Sequence, residues 1–200
     1  QRLCPGRIYL EQGTVAEVGP VTTVIDSYLR EASSGGRRWD YARKSPWLEV
    51  EDVELLIDGE VRTTVACGST VTFRAHYRCT APDRFPEGLE AGFIVYGSGQ
   101  KLVNFWSNAG LGRSLPLADH GTITCTVPDW PFRSMSMSVQ LHLNYRLETL
   151  VDLPEAVTFD SVDSDRFGTG IVPHSSEGIL LLPHTWGAPA PTGVAPAAKP

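Results

Sequence analysis

From Met135 to Tyr145 the chain reads MSMSVQLHLNY, so Met135, Met137, Val139, Leu141, Leu143 and Tyr145 alternate with Ser136, Ser138, Gln140, His142 and Asn144. A period of two held this long puts the apolar side chains on one face of an extended strand and the polar ones on the other. No helix satisfies it. The pattern recurs where Val71, Phe73, Ala75, Tyr77 and Cys79 alternate with Thr72, Arg74, His76 and Arg78, and where Ile123, Cys125 and Val127 alternate with Thr122, Thr124 and Thr126. Further strand candidates are Leu48–Ile57 and residues 61–66, 93–96, 102–106, 156–162 and 179–182. Leu48 and Val50 are out of phase with Val53, Leu55 and Ile57, which predicts a bulge near Asp52. Asp58-Gly59, Gly68-Ser69, Gly97-Ser98-Gly99 and Pro128-Asp129 mark turns. Eight or nine short antiparallel strands with no helical pattern between them predict an all-β sandwich.

The first 46 residues read differently. Arg7 to Leu10, a Gln12-Gly13 turn and Val15 to Val18 form a hairpin, and Pro20 opens a helix whose Val21, Val24, Ile25, Tyr28 and Leu29 share one face. Residues 31–46 carry Ser-Ser-Gly-Gly and read as a linker; residues 187–200, nearly all Ala, Pro and Gly, are expected to be disordered. Charge divides the same way. Residues 1–46 hold seven basic and five acidic side chains, a balance of +2, against ten and eighteen, −8, over 47–200. With a total of −6, the chain has no basic stripe of the kind nucleic-acid binders carry. No apolar run approaches the roughly 18 residues of a membrane span. The chain begins at Gln1 without a secretory leader, and we expect it to be cut from a longer protein.

No pattern of catalysis or cofactor binding emerges. Motifs of the nucleophile-elbow, zinc-protease and phosphate-loop types are absent. Gly97-Ser98-Gly99-Gln100-Lys101 lies between two strands and reads as a hairpin turn, and Asp152 and Glu155 read as loop carboxylates. The four cysteines lack zinc spacing. Cys79 and Cys125 share the inward phase of their strands, so either a disulfide or two buried thiols is open. Asp160, Asp163 and Asp165 could hold calcium or simply line a solvated loop. The exposed strand faces carry more information. With Val103 and Phe105 inward, Asn104 and Trp106 point out beside Tyr96, and other polar phases offer Arg74, His76, Arg78, Gln140, His142 and Asn144. Aromatic faces cover the C–H patches of a sugar ring while planar polar groups read its hydroxyls. An exposed Trp serves protein contacts equally well, so glycan binding and a protein interface both stay open.

Residues 3–29, LCPGRIYLEQGTVAEVGPVTTVIDSYL, resemble the closing segment of ABC-transporter ATPase domains, with its Leu-x-x-Gly-x-Val hairpin and Gly-Pro helix start. Behind it, residues 47–186 resemble the C-terminal carbohydrate-binding domain of Wzt-type ATPase subunits of polysaccharide exporters. The resemblance runs through Val53-Glu54-Leu55, Cys67-Gly68-Ser69-Thr70-Val71-Thr72-Phe73, Gly92-Phe93-Ile94-Val95, Val103-Asn104-Phe105-Trp106-Ser107-Asn108, Gly121-Thr122-Ile123-Thr124-Cys125, Ala156-Val157-Thr158-Phe159-Asp160 and Trp186. Ala109 and the stretch from Ser134 to Ser138 depart from the family pattern, so no particular sugar is implied.

The resemblance implies four segments: residues 1–30 an ATPase remnant, 31–46 a linker, 47–186 an immunoglobulin-like or jelly-roll sandwich, and 187–200 a tail. It implies non-catalytic recognition of the modified non-reducing end of an O-antigen polysaccharide at the cytoplasmic face of the bacterial inner membrane, with the exporter's permease as partner. A homodimer is implied too, with residues 179–182 as a strand to exchange or to fold back. In that reading Trp106 and Tyr96 stack on sugar. Asn104, Gln140, His142 and Asn144 bind hydroxyls, and Arg74 or His76 meets an anionic or methylated end group. No cofactor or metal is expected. The alternatives are a dimerisation or docking module that reads no sugar, and a cell-surface adhesion module, which would need a leader and oxidised cysteines.

Overall fold

Alternating strands that each expose one apolar face are stable only when two such faces close on each other, and this chain folds that way. The structure is a computed structural model that describes residues 7–11, 14–19, 41–173 and 178–187. The helix expected over residues 21–29, the first part of the linker and the tail lie outside the described residues. Near the N-terminus β1 (Arg7–Glu11) and β2 (Thr14–Gly19) pair antiparallel, as the hairpin reading expects. The sandwich strands are β3 (Leu48–Ile57), β4 (Glu60–Val61), β5 (Thr64–Ala66), β6 (Val71–Cys79), β7 (Glu90–Gly97), β8 (Gln100–Trp106), β9 (His120–Val127), β10 (Met135–Tyr145) and β11 (Glu148–Val162). They form a five-stranded sheet in the order β5-β11-β10-β7-β8 and a four-stranded sheet in the order β4-β3-β6-β9.

The inward phases meet in one core. Phe73 of the four-stranded sheet stacks on Phe93 of the five-stranded sheet with ring centroids 5.5 Å apart. Trp130, fully buried, sets its edge against Phe73 and Phe159. Its Nε1–H donates to Ser161 Oγ at 3.2 Å, and that hydroxyl donates to the Phe132 carbonyl at 2.8 Å. The indole's one donor is therefore satisfied inside an apolar layer.

The turns fall where their residue types predict. Asp58, Gly59, Ser98, Gly99 and Asp129 all take positive φ, and the β3–β6 register slips between Val50 and Asp52. Four expectations change. Residues 61–66 are not one strand: β4 turns back to pair antiparallel with the end of β3, while β5 crosses to the other sheet and runs parallel to β11, so one ladder of the sandwich is parallel. Asp152 and Glu155, read as loop carboxylates, lie instead within β11, which runs from Glu148 to Val162 and continues past Pro154. Residues 179–182 make only an isolated bridge, Leu180 to Phe132, fixed by bonds from Arg133 N to Ile179 O and from Leu181 N to Pro131 O. This segment folds back on its own chain. A one-turn helix, Ser107–Leu111, follows β8 and ends at Gly112 in the left-handed conformation. Residues 41–46 are tied to the sandwich, Tyr41 Oη donating to the Val50 carbonyl and Arg43 pairing with the backbone of Asp152. Among the described residues no helix is long and apolar enough to cross a membrane.

Candidate functional site

The outer face of the five-stranded sheet is assembled in rows by strand register. Trp106, Gly92, His142 and Asp152 stand abreast on β8, β7, β10 and β11. The next row holds Asn104, Ile94 and Gln140, and the next Tyr96, Ser138 and Thr158. Asn144 lies beyond His142, opposite Glu90. Six of the eight residues singled out from the sequence, Tyr96, Asn104, Trp106, Gln140, His142 and Asn144, thus share one face. Arg74 and His76 do not. They lie on β6 in the other sheet, both within 3.3 Å of Glu54, with Thr122 Oγ1 3.2 Å from His76 Nδ1. The polar phase of β6 and that of β10 are on opposite sides of the sandwich, a separation that alternation within one strand cannot reveal.

Gly92 explains the position of Trp106. A Cβ on Gly92 would stand 2.9 Å from Cζ3, 3.0 Å from Cε3 and 3.1 Å from Cη2 of the indole. The ring occupies the space a side chain would fill, so it lies half-buried against bare backbone. Its edge meets the His142 ring at 76° with centroids 6.4 Å apart. Beside it Ile94, which stands outside the core cluster, is only 2% exposed and gives the face an apolar floor.

Across this floor runs a chain of polar contacts. Tyr96 Oη donates to Gln140 Oε1 at 2.8 Å, and Gln140 Nε2 donates to Asp152 Oδ1 at 2.7 Å. An ionised Asp can only accept, so Gln140 must donate to it and accept from Tyr96, which fixes the amide's orientation. His142 Nε2 lies 3.0 Å from the same Asp152 oxygen, within ion-pair reach for a protonated ring but not aligned for a hydrogen bond. Among the described residues four buried side-chain polar atoms lack a hydrogen-bond partner: Asn104 Oδ1, His142 Nε2, Asn144 Oδ1 and Arg166 Nη1. Three of them belong to this face. Buried polar atoms left unpaired inside a protein are costly, and clustered beside an aromatic plate they leave hydrogen-bonding capacity for a ligand.

Sequence reasoning missed four contributors: Gly92, Asp152, Ser138 and the bulge at Pro154 and Glu155. Asp152 was legible as the polar phase between Val151 and Leu153, but Pro154 concealed the strand. The acidic trio is engaged elsewhere. Asp160 accepts from Ser136 Oγ, Asp163 from Arg133 Nε, and Asp165 from the amides of Thr169 and Gly170. Among the described residues no cluster of His, Cys, Asp and Glu could hold a metal ion. Cys67, Cys79 and Cys125 are free thiols, so the Cys79–Cys125 disulfide is not formed. Burial pushes the Cys125 thiol above its ordinary value, and burial does the same for Cys67 against the nearby Arg166.

A fold of two packed sheets with a polar, aromatic outer face defines the chain as an all-β sandwich. Among solved structures it is similar to the C-terminal domain of Wzt, with a TM-score of 0.58 at 11% identity over 78% of this chain and 93% of that one. At that identity the likeness establishes the fold. Weaker likenesses are to a lytic polysaccharide monooxygenase from Jonesia denitrificans (TM-score 0.25, 19% identity, 50% of this chain and 56% of that) and to chicken MD-1 complexed with lipid IVa (0.29, 16%, 60% and 100%). No family model and no curated protein matches the chain.

Proposed function

We propose that the sandwich is a non-catalytic carbohydrate-binding domain of a polysaccharide exporter. It would recognise the non-reducing end of an O-antigen-type glycan on the outer face of the five-stranded sheet. The carrying observation is the pair of buried amide oxygens on Asn104 and Asn144 that lack a hydrogen-bond partner, set with His142 around the Trp106 plate. The Wzt-like fold supports the exporter setting. In this reading the chain acts in the cytoplasm beside a permease subunit, with residues 1–30 the end of an ATPase domain and 47–186 the recognition unit.

The indole covers the apolar face of one sugar ring. The Tyr96–Gln140–Asp152 chain presents a pre-oriented amide, and the two Asn carbonyls accept from ligand hydroxyls. Such open sites bind with roughly micromolar to millimolar affinity, about −8 to −4 kcal/mol. Titrating the chain with end-modified and unmodified glycan fragments tests the reading. Saturable shifts at the Trp106 indole support it, and silence with every fragment overturns it.

A second reading, a docking or dimerisation module, is favoured by exposed Ile171, Val172, Ile179, Leu180, Leu182 and Trp186. It predicts a dimer that dissociates on Leu182→Ser while glycan shifts are absent from wild type.

A further inference from the structure

On the same outer face, beside the Tyr96–Gln140 end of the polar chain, opens a cavity of about 470 Å³. One wall is the β7–β8 turn at Ser98; the floor carries Ser136, Ser138 and Gln140, and the far wall is Pro154 and Glu155. That far wall is a distortion of β11. Val139 pairs with Val157 but Leu141 pairs with Leu153, so three residues, 154–156, stand opposite Gln140 alone. The excess is absorbed at Glu155, whose φ of 48° is left-handed. A side chain there costs roughly 1–2 kcal/mol, and glycine would avoid it. Bulges of this kind re-aim side chains next to binding sites. This one sets a carboxylate at the rim of the cavity.

The chemistry of the cavity is one-sided. Its described lining contains a carboxylate, three serine hydroxyls, a tyrosine and an amide, and no lysine or arginine. Around it the outer face carries Glu90, Asp152 and Asp160, with His142 the imidazole among them and Lys101, opposite Tyr96, the single cation of that row. Asp152 and Asp160 already accept hydrogen bonds from Gln140 and Ser136. Glu155 meets no cation among the described residues. The unpartnered oxygens of Asn104 and Asn144 add acceptors to the same face. Arg74, which could have met an anion, is ion-paired to Glu54 on the other sheet.

We propose that this cavity, walled by the Pro154–Glu155 bulge, seats an uncharged or amine-bearing terminal sugar residue, and that Glu155 is the specificity-determining residue that rejects phosphate, sulfate or carboxylate end groups. The proposal rests on the glycan reading above and narrows its ligand class. A sugar's hydroxyls or ammonium group donate to Glu155 and the serines. An anionic end group meets a carboxylate without a cation partner at close range, and like charges brought together repel, here moderated by the solvent that reaches exposed Glu155.

The test uses the whole chain and three matched probes, methyl glucoside, methyl glucosaminide and methyl glucuronide, with NMR shift changes as readout. Wild type binds the first two at least about tenfold more tightly than the glucuronide, a difference of about 1.4 kcal/mol. Glu155→Lys narrows or reverses that ratio. Glu155→Gly, which suits the left-handed backbone, keeps the fold and also loses discrimination. Trp106→Ala abolishes binding of all three probes. A ratio unmoved by Glu155→Lys and Glu155→Gly while Trp106→Ala still abolishes binding overturns this inference alone. Absence of binding by all three probes to wild type overturns it together with the glycan reading.

Discussion

At the scale of single residues, Gly92 and Trp106 make one feature. A side chain at position 92 and the indole compete for the same volume. Gly92→Ala should therefore lift Trp106 off the sheet and leave the core, which lies on the other face, intact. The expected outcome is weaker glycan binding, by about tenfold or more, with an unchanged denaturation midpoint. Trp106→Ala should lose binding outright with little loss of stability, since the ring is half-buried on an outer surface. Equilibrium unfolding in parallel with ligand titration checks both. Trp130 is the contrast. It is wholly enclosed among Phe73, Phe132 and Phe159, and Trp130→Ala should cost about 3–5 kcal/mol of stability.

At the scale of elements, two ion-pair systems behave differently because their surroundings differ. Arg133 is buried, its Nε donating to Asp163 Oδ1 at 2.9 Å and its Nη2 to the Pro173 carbonyl at 2.6 Å. These bonds strap the segment after β11 to the sandwich. Asp163→Ala strands a buried guanidinium and should destabilise by about 3 kcal/mol, read from the urea midpoint. Glu49 on β3 is exposed and held by Arg78 from β6 and by Lys44. The Arg78 hydrogen bond first, then that of Lys44, keeps its carboxyl below the ordinary value. Its folded pKa is lower than its unfolded one, so its contribution is present above the unfolded value and disappears as pH falls through the folded one. Between about pH 5 and pH 3 wild type should lose more stability than Glu49→Gln, by a small margin fitting a solvent-screened pair.

The elements also show what the sequence could disclose. Unbroken alternation made β6, β9 and β10 legible, and phase reversal placed a bulge near Asp52, where the register slips between Val50 and Asp52. Where local signals conflicted with tertiary pairing, the reading stopped short. Pro154 looks like a strand terminator, yet the chain makes room for it with a bulge and continues as β11. Val61 to Ala66 reads as one strand that the fold divides between two sheets, because a strand's partner is chosen by contacts distant in sequence. Of the site, the outward residues of β7, β8 and β10 were readable from period two. Which sheet each strand joined was not. That is why Arg74 and His76 were grouped with residues on the far side of the core.

At the scale of the whole molecule, the two sheet surfaces differ in how far their polar groups are satisfied. The four-stranded sheet presents a lattice of satisfied charges, with Glu54, Arg74 and His76 mutually paired and Thr72 bonded to Thr126 across strands. The five-stranded sheet presents an aromatic plate, a pre-oriented amide and buried acceptors without partners. A surface already satisfied gains little from a ligand, and one left unsatisfied gains a great deal. Under the proposed function, glycan therefore binds the second surface. Amide-resolved NMR of the whole chain, titrated with glycan fragments, tests it most directly. Saturable shifts are expected to be confined to outer-face residues of β7, β8, β10 and β11, centred on Gly92, Trp106 and Gln140. Shifts centred on Arg74 and His76 of β6, or none anywhere, would contradict it.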